Sequence, residues 1–132
     1  MTEALSLKAE PVRIAIVEDD PSLAKLVSDM LISGGVVIEV FALGKDLLKS
    51  VNLPNFKTII LDLSLPDLCG FDIMDSLAAG SIGRSIVLMS GHDPSVIHAA
   101  KTYGHGVGLQ VRAALSKPFS RDELLIALGL SV

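Results

Sequence analysis

Residues 59–70 read IILDLSLPDLCG, and Asp62 stands at the end of an apolar run, not in a polar surface stretch. Other ionisable or hydroxyl residues fall at matching places. Glu18, Asp19 and Asp20 follow RIAIV, Ser90 closes SIVLMS, and Ser116-Lys117-Pro118 follows LQVRAAL. A carboxylate at the end of an IIL run loses hydration unless something compensates it. Carboxylates packed together repel, so one must take a proton or a cation must sit among them. Mg²⁺ suits such a place, as a hard ion that uses one or two carboxylates with waters and phosphate oxygens. A carboxylate beside that ion can attack a phosphoryl group as a covalent nucleophile. The metal and a lysine then share the charge on the transferring group, and Ser90 can hydrogen-bond one of its oxygens. These residue types suit an aspartyl-phosphate site.

Each residue alone has a plainer role. Asp20, before Pro21, is most simply a helix cap. Glu18 and Asp19 could favour a helix N-terminus through its dipole, worth ~0.3–1 kcal/mol each. Asp62 could open a turn with Pro66, Ser90 could be a turn hydroxyl, and Lys117 a solvated surface charge. Their combination makes a common site the better reading.

The elements that must position them follow from pattern. RIAIVE (13–18), VVIEVF (36–41), TIILD (58–62), SIVLMS (85–90) and LQVRAAL (109–115) read as buried strands. LQVRAAL is the weakest of these, since its alanines have modest β-propensity. Asp20-Pro21 caps a helix through Leu23, Leu26, Val27, Met30 and Leu31, stopped by Gly34-Gly35. GKDLLKSV (44–51) and GFDIMDSLAA (70–79) are further helices, the second ended by Gly80. Asp93-Pro94 opens another through Ile97, Ala100 and Lys101, ended by the glycine-broken GHGVG (104–108). Ser120-Arg121-Asp122-Glu123 is a capping box before the last helix, LLIAL. Five strands alternating with five helices imply an α/β fold, a doubly wound parallel sheet with helices on both faces. Ligands in such folds bind outside the carboxyl ends of the strands, where Glu18, Asp19, Asp62, Ser90 and Lys117 all fall.

Composition narrows the function classes. The chain has 132 residues, which fits one domain: a loose leader over 1–11 and a folded unit over 12–132. Half the residues are apolar and mean hydropathy is positive, against wholesale disorder. The net charge of −4, with no basic run, argues against direct nucleic-acid binding. The single cysteine excludes an internal disulfide and fits a reducing compartment. MTEALSLKAE carries charges where a signal peptide needs an apolar core, and nothing approaches the ~20 apolar residues of a membrane span. A cytoplasmic setting is expected.

Taken in order, IAIVEDDPSLAKLV, LDLSLPDLCGFDIM, VLMSGHD and LSKPFSRDEL closely resemble the receiver domain of bacterial response regulators, over nearly the whole chain from Val12. The resemblance implies a CheY-like, flavodoxin-type sheet of order 2-1-3-4-5. It implies that Asp62 accepts the phosphoryl group, that Asp19 binds Mg²⁺ directly and Glu18 through water, and that the backbone carbonyl of Ser64 adds a ligand. Ser90 matches the Ser/Thr that turns toward the phosphoryl group, and Lys117 the family's lysine, followed by a cis bond to Pro118. It further implies a histidine kinase or histidine phosphotransfer protein as donor, slow self-dephosphorylation, and a downstream domain or protein as reader. A homodimer on phosphorylation is a further partner of this kind.

Three features depart from the pattern. Ala114 stands three residues before the lysine, where receivers carry Tyr or Phe as part of the switch. The interval from Ser90 to Lys117 is several residues longer than is typical of receivers, and GHGVGLQVRAAL is similar, loosely, to receivers linked to EAL-type phosphodiesterases. Cys69 replaces a frequent aspartate and reads as structural. Two other functions stay open: a phosphorylation-independent scaffold, suggested by Ala114, and a Mg²⁺-dependent phosphohydrolase. The second is disfavoured because haloacid-dehalogenase-like enzymes carry an aspartate where Ser64 stands. GHGVG is no dinucleotide loop, since Leu109 occupies the next required glycine position. His92, His98 and His105 lack metal-ligand spacing, although His92 lies where family members tune phosphoryl lifetime. No output domain follows, so a regulator acting alone and a piece of a longer chain both remain open.

Overall fold

In a computed structural model that describes residues 11–32, 36–80, 85–91 and 93–130, the five apolar runs are five parallel strands. They are β1 (Val12–Val17), β2 (Val36–Phe41), β3 (Thr58–Asp62), β4 (Ser85–Ser90) and β5 (Gln110–Ser116), in the order β2-β1-β3-β4-β5. The helices are α1 (Pro21–Met30), α2 (Gly44–Lys49), α3 (Gly70–Gly80), α4 (Pro94–Gly106) and α5 (Arg121–Ala127), with a 3-10 turn at Leu53–Asn55. Class, element count and strand order agree with the sequence reading.

The strands are apolar on both faces because both faces are covered. Alternate residues point to opposite sides. Ala15, Val17, Ile59, Leu61 and Leu88 pack on one side with Leu47 of α2, Met74 of α3 and Ala100 of α4. Ile14, Ile16, Ile60 and Val87 pack on the other with Val27 of α1 and Leu124 of α5. The central strands β3 and β4 are buried along their whole length.

Local signals place most helix starts. Asp20 accepts from the amides of Ser22 and Leu23 at 2.9 and 3.3 Å, and Asp93 repeats the arrangement with Ser95 and Val96 at 2.9 and 3.2 Å. Ser120 and Glu123 form the reciprocal capping box.

Several details differ from expectation. Strand β1 ends at Val17, so Glu18 opens the loop, although its amide still donates to Phe41 O at 3.0 Å. Leu26 is 51 % exposed, because the buried stripe of α1 narrows to Ala24 and Val27, with Leu31 just past its end. Helix α2 stops at Lys49, two residues early, where Ser50 turns to extended backbone. Helix α4 runs through Gly104, and the chain turns at Gly108, whose φ is +93°. Gly104 is there for packing: a Cβ on it would lie 2.5 Å from Val111 Cγ2. The Gly34-Gly35 stop, His92 and the leader up to residue 10 lie outside the described residues.

Candidate functional site

The parallel sheet sends the ends of β1, β3, β4 and β5 to one edge, and the polar residues meet there. Glu18 and Asp62 are each 2 % exposed and Ser90 1 %, while Asp19 is open to solvent. One oxygen from each of Glu18, Asp19 and Asp62 lies within 4.8 Å of the others. Such a set of hard carboxylate oxygens fits a divalent cation that prefers oxygen ligands.

Lys117 reaches the same cluster. Its Nζ donates to Glu18 Oε1 at 2.8 Å and lies 3.3 Å from Asp62 Oδ2. The backbone helps fix that reach, since the Lys117 amide donates to Ser90 O at 2.8 Å. The following bond to Pro118 is cis. Backbone amides take the remaining carboxylate oxygens. Asp20 N donates to Glu18 Oε2 at 3.1 Å, and Ser64 N to Asp62 Oδ1 at 3.1 Å. Asp62 is therefore held from both sides with its carboxylate facing the cluster.

Burial pushes the Glu18 carboxyl above its ordinary value, and the neighbouring Asp62 charge adds to that. The Lys117 hydrogen bond and the Asp20 amide oppose the shift without cancelling it. Burial alone would depress the Lys117 ammonium. The Glu18 hydrogen bond and the charges of Asp62 and Glu18 outweigh it, and the ammonium stands above its ordinary value. The pocket holds two buried carboxylates and one ammonium, so its negative charge is only partly balanced without a further cation.

Each residue singled out from the sequence has a definite place. Glu18, Asp19, Asp62 and Lys117 are brought together, and Ser90 adjoins them through its carbonyl on Lys117. Ser64 lies on the rim, bridged to the exposed Cys69 across the loop. Ala114 sits further down β5, opposite Leu88 and half-buried against the core. Asp67 was not singled out. Its carboxylate accepts from Gly44 N and Lys45 N at 3.0 and 2.9 Å, so it caps α2 from a different loop. The Lys45 amide first, with Gly44 beside it, holds that carboxyl below its ordinary value. Leu43, the residue before α2, has no side-chain acceptor, which is the only sequence signal of the need.

A sheet of this order with an acidic pocket at its carboxyl edge defines a CheY-like α/β domain. The family profile of the response regulator receiver domain matches residues 14–129, and the chain belongs to that family. It is a receiver domain of two-component signal transduction, a family that works by phosphorylation on an aspartate. The cell cycle transcriptional regulator CtrA of Caulobacter vibrioides is 29 % identical over 86 % of this chain and 47 % of its own length. The chain thus spans about half the length of the curated relatives it matches. A response regulator from Colwellia psychrerythraea is 32 % identical, with TM-score 0.75, covering 89 % of this chain and 94 % of that one. The signal receiver domain of a putative LuxO repressor protein from Vibrio parahaemolyticus gives TM-score 0.78 at 26 % identity, covering 90 % and 88 %. Among the described residues, no helix is long and apolar enough to cross a membrane.

Proposed function

We propose that Asp62 is the phosphoacceptor of this domain, working with Mg²⁺ bound by Glu18, Asp19, Asp62 and the Ser64 carbonyl. The observation that supports this is the meeting of three carboxylates within 4.8 Å, with Lys117 Nζ 3.3 Å from Asp62 Oδ2. When bound, the ion offsets negative charge on the transferring phosphoryl oxygens. Asp62 Oδ attacks the phosphorus of a phosphohistidine, the P–N bond breaks, and its electron pair leaves with the imidazole, which takes a proton. Lys117 holds the Asp62 carboxylate in place and shares the new charge. Ser90 donates its hydroxyl to a phosphoryl oxygen. Water later hydrolyses the acyl phosphate and restores Asp62.

The donor is a histidine kinase or phosphotransfer protein, and the reader is a downstream domain or protein, with a homodimer as one route. The working unit is the receiver domain over residues 12–132, in the cytoplasm. Phosphorylation shifts an equilibrium between two surface states. With Ala114 in place of an aromatic ring, that shift does not use an aromatic rotation on β5.

Small-donor labelling with acetyl phosphate tests the reading. The expected result is one phosphoryl group per chain, lost in Asp62→Asn and in EDTA. Label that persists in either case removes the mechanism. Steady turnover of a generic phosphomonoester would instead identify a phosphohydrolase. Labelling that leaves partner affinity unchanged would make the domain a scaffold.

A further inference from the structure

A cleft of about 130 Å³ opens at the other end of the sheet, where the strands begin. Val12 and Ile14 of β1 and Leu128 and Leu130 at the close of α5 form its apolar walls. Lys57 and Arg112 bring two cations to it, and among the described residues no carboxylate lines it.

Arg112 arrives there through an irregularity in the sheet. Val111 lies opposite Ile86 and Ala113 opposite Val87, so Arg112 is an extra residue in the ladder. A bulge of this kind re-aims a side chain. Arg112 Nη1 donates to Leu128 O at 3.1 Å, which ties the guanidinium to the last turn of α5. Gly129, with φ +73°, leaves it room: a Cβ there would stand 2.5 Å from Nη2. A guanidinium has five N–H donors in a planar fork, and this contact uses one. Among the described residues, neither Lys57 nor Arg112 forms an ion pair. Thr58, 5 % exposed, places a buried hydroxyl residue in the same lining.

Two cations above apolar walls recognise an anion with an apolar tail. The head is a planar single charge, because the fork of Arg112 matches a carboxylate and one of its donors is already turned toward Leu128. A dianion with its heavier hydration would be stranded against Val12 and Leu130. Volume sets the tail, since an apolar cavity of about 150 Å³ holds one benzene ring. We propose that this cleft binds a small monocarboxylate whose tail is the size of a ring or a branched alkyl group. The site is independent of the phosphoryl pocket, which lies at the opposite ends of the same strands.

The test is an amide chemical-shift titration of the full chain with benzoate, against benzamide as neutral isostere and acetate as tail-less anion. Saturable shifts are expected at Val12, Thr58, Arg112 and Gly129. Benzoate should bind roughly tenfold tighter than either control, the scale of one charge-assisted hydrogen bond or of the lost tail. Arg112→Gln and Lys57→Gln should each weaken it by roughly tenfold. Among the described residues the Lys57 side chain makes no hydrogen bond or ion pair, so Lys57→Gln stays informative even where Arg112→Gln disturbs folding. Asp62→Asn should leave the titration unchanged, which separates this site from the phosphoacceptor assignment. Shifts that do not saturate, equal binding of benzamide, or shifts centred on Lys117 would overturn the proposal.

Discussion

The two ends of the sheet solve opposite problems with the same strands. At the carboxyl end, β1, β3 and β4 finish in buried polar groups, with Glu18, Asp62 and Ser90 almost closed to solvent. At the amino end the buried polar residues are the neutral Thr58 and Ser85, and the cations Lys57 and Arg112 stand at the surface. One end therefore carries buried charge that a cation can balance. The other is closed by packing and by backbone hydrogen bonds. Stability should respond to ions at the first end and to shape at the second.

The largest expected effect comes from removing the ammonium at the carboxyl end. Lys117→Ala leaves Glu18 and Asp62 buried without their shared cation, and breaking such a buried pair costs about 3–5 kcal/mol. Mg²⁺ should recover much of this loss, because a ligand that binds only the folded form stabilises it by mass action. Urea unfolding of Lys117→Ala with and without Mg²⁺ measures both. A variant that unfolds at the parent's midpoint, or ignores Mg²⁺, would mean that the pocket's charge is balanced by other groups.

The amino end should answer to volume. Gly104→Ala gains helix propensity worth about 1 kcal/mol but forces a methyl to 2.5 Å from Val111 Cγ2, an overpacking cost of about 1–3 kcal/mol. The net expectation is a loss of about 1 kcal/mol, insensitive to Mg²⁺. Gly106→Ala in the same helix meets nothing within 4 Å and should be neutral or stabilising. Thermal unfolding of the pair decides it. Equal behaviour of the two alanines would show that α4 shifts freely on β5.

The sequence made local features legible and left non-local ones hidden. Strand runs, the Asp-Pro caps of α1 and α4 and the Ser120 box are short-range patterns; the caps and the box are as the sequence reads, and the strands agree to within a residue at each end. The pocket was legible for a related reason. In a parallel sheet every strand delivers its last residues to one edge, so ionisable groups after separate apolar runs must meet. Tertiary contacts decided the rest. Gly104 looked like a helix stop because its neighbour Val111 lies on another element. Arg112 looked like an ordinary strand residue because a bulge shows only in the pairing with β4. Leu26 fitted the helical stripe, yet α1 meets the sheet along a narrower line.

Asp67 gives the smallest expected effect and the sharpest contrast with Asp62, five residues before it. Both carboxylates accept backbone amides, Asp62 from Ser64 close by in sequence and Asp67 from Gly44 and Lys45 at the start of α2, where it acts as a remote cap. Asp67→Ala should lower the melting temperature by a few degrees at neutral pH and leave acetyl-phosphate labelling intact. The folded carboxyl is held below its ordinary value of 3.8, so its contribution is fully present above that pH. It fades as pH falls through the lower folded value, because the protonated group no longer accepts both amides as a charge. The gap between parent and variant should therefore stay constant above pH 3.8 and close below it. A gap that widened on acidification would point to Asp67 stabilising the fold as a neutral acid, and the cap at α2 would need another carboxylate.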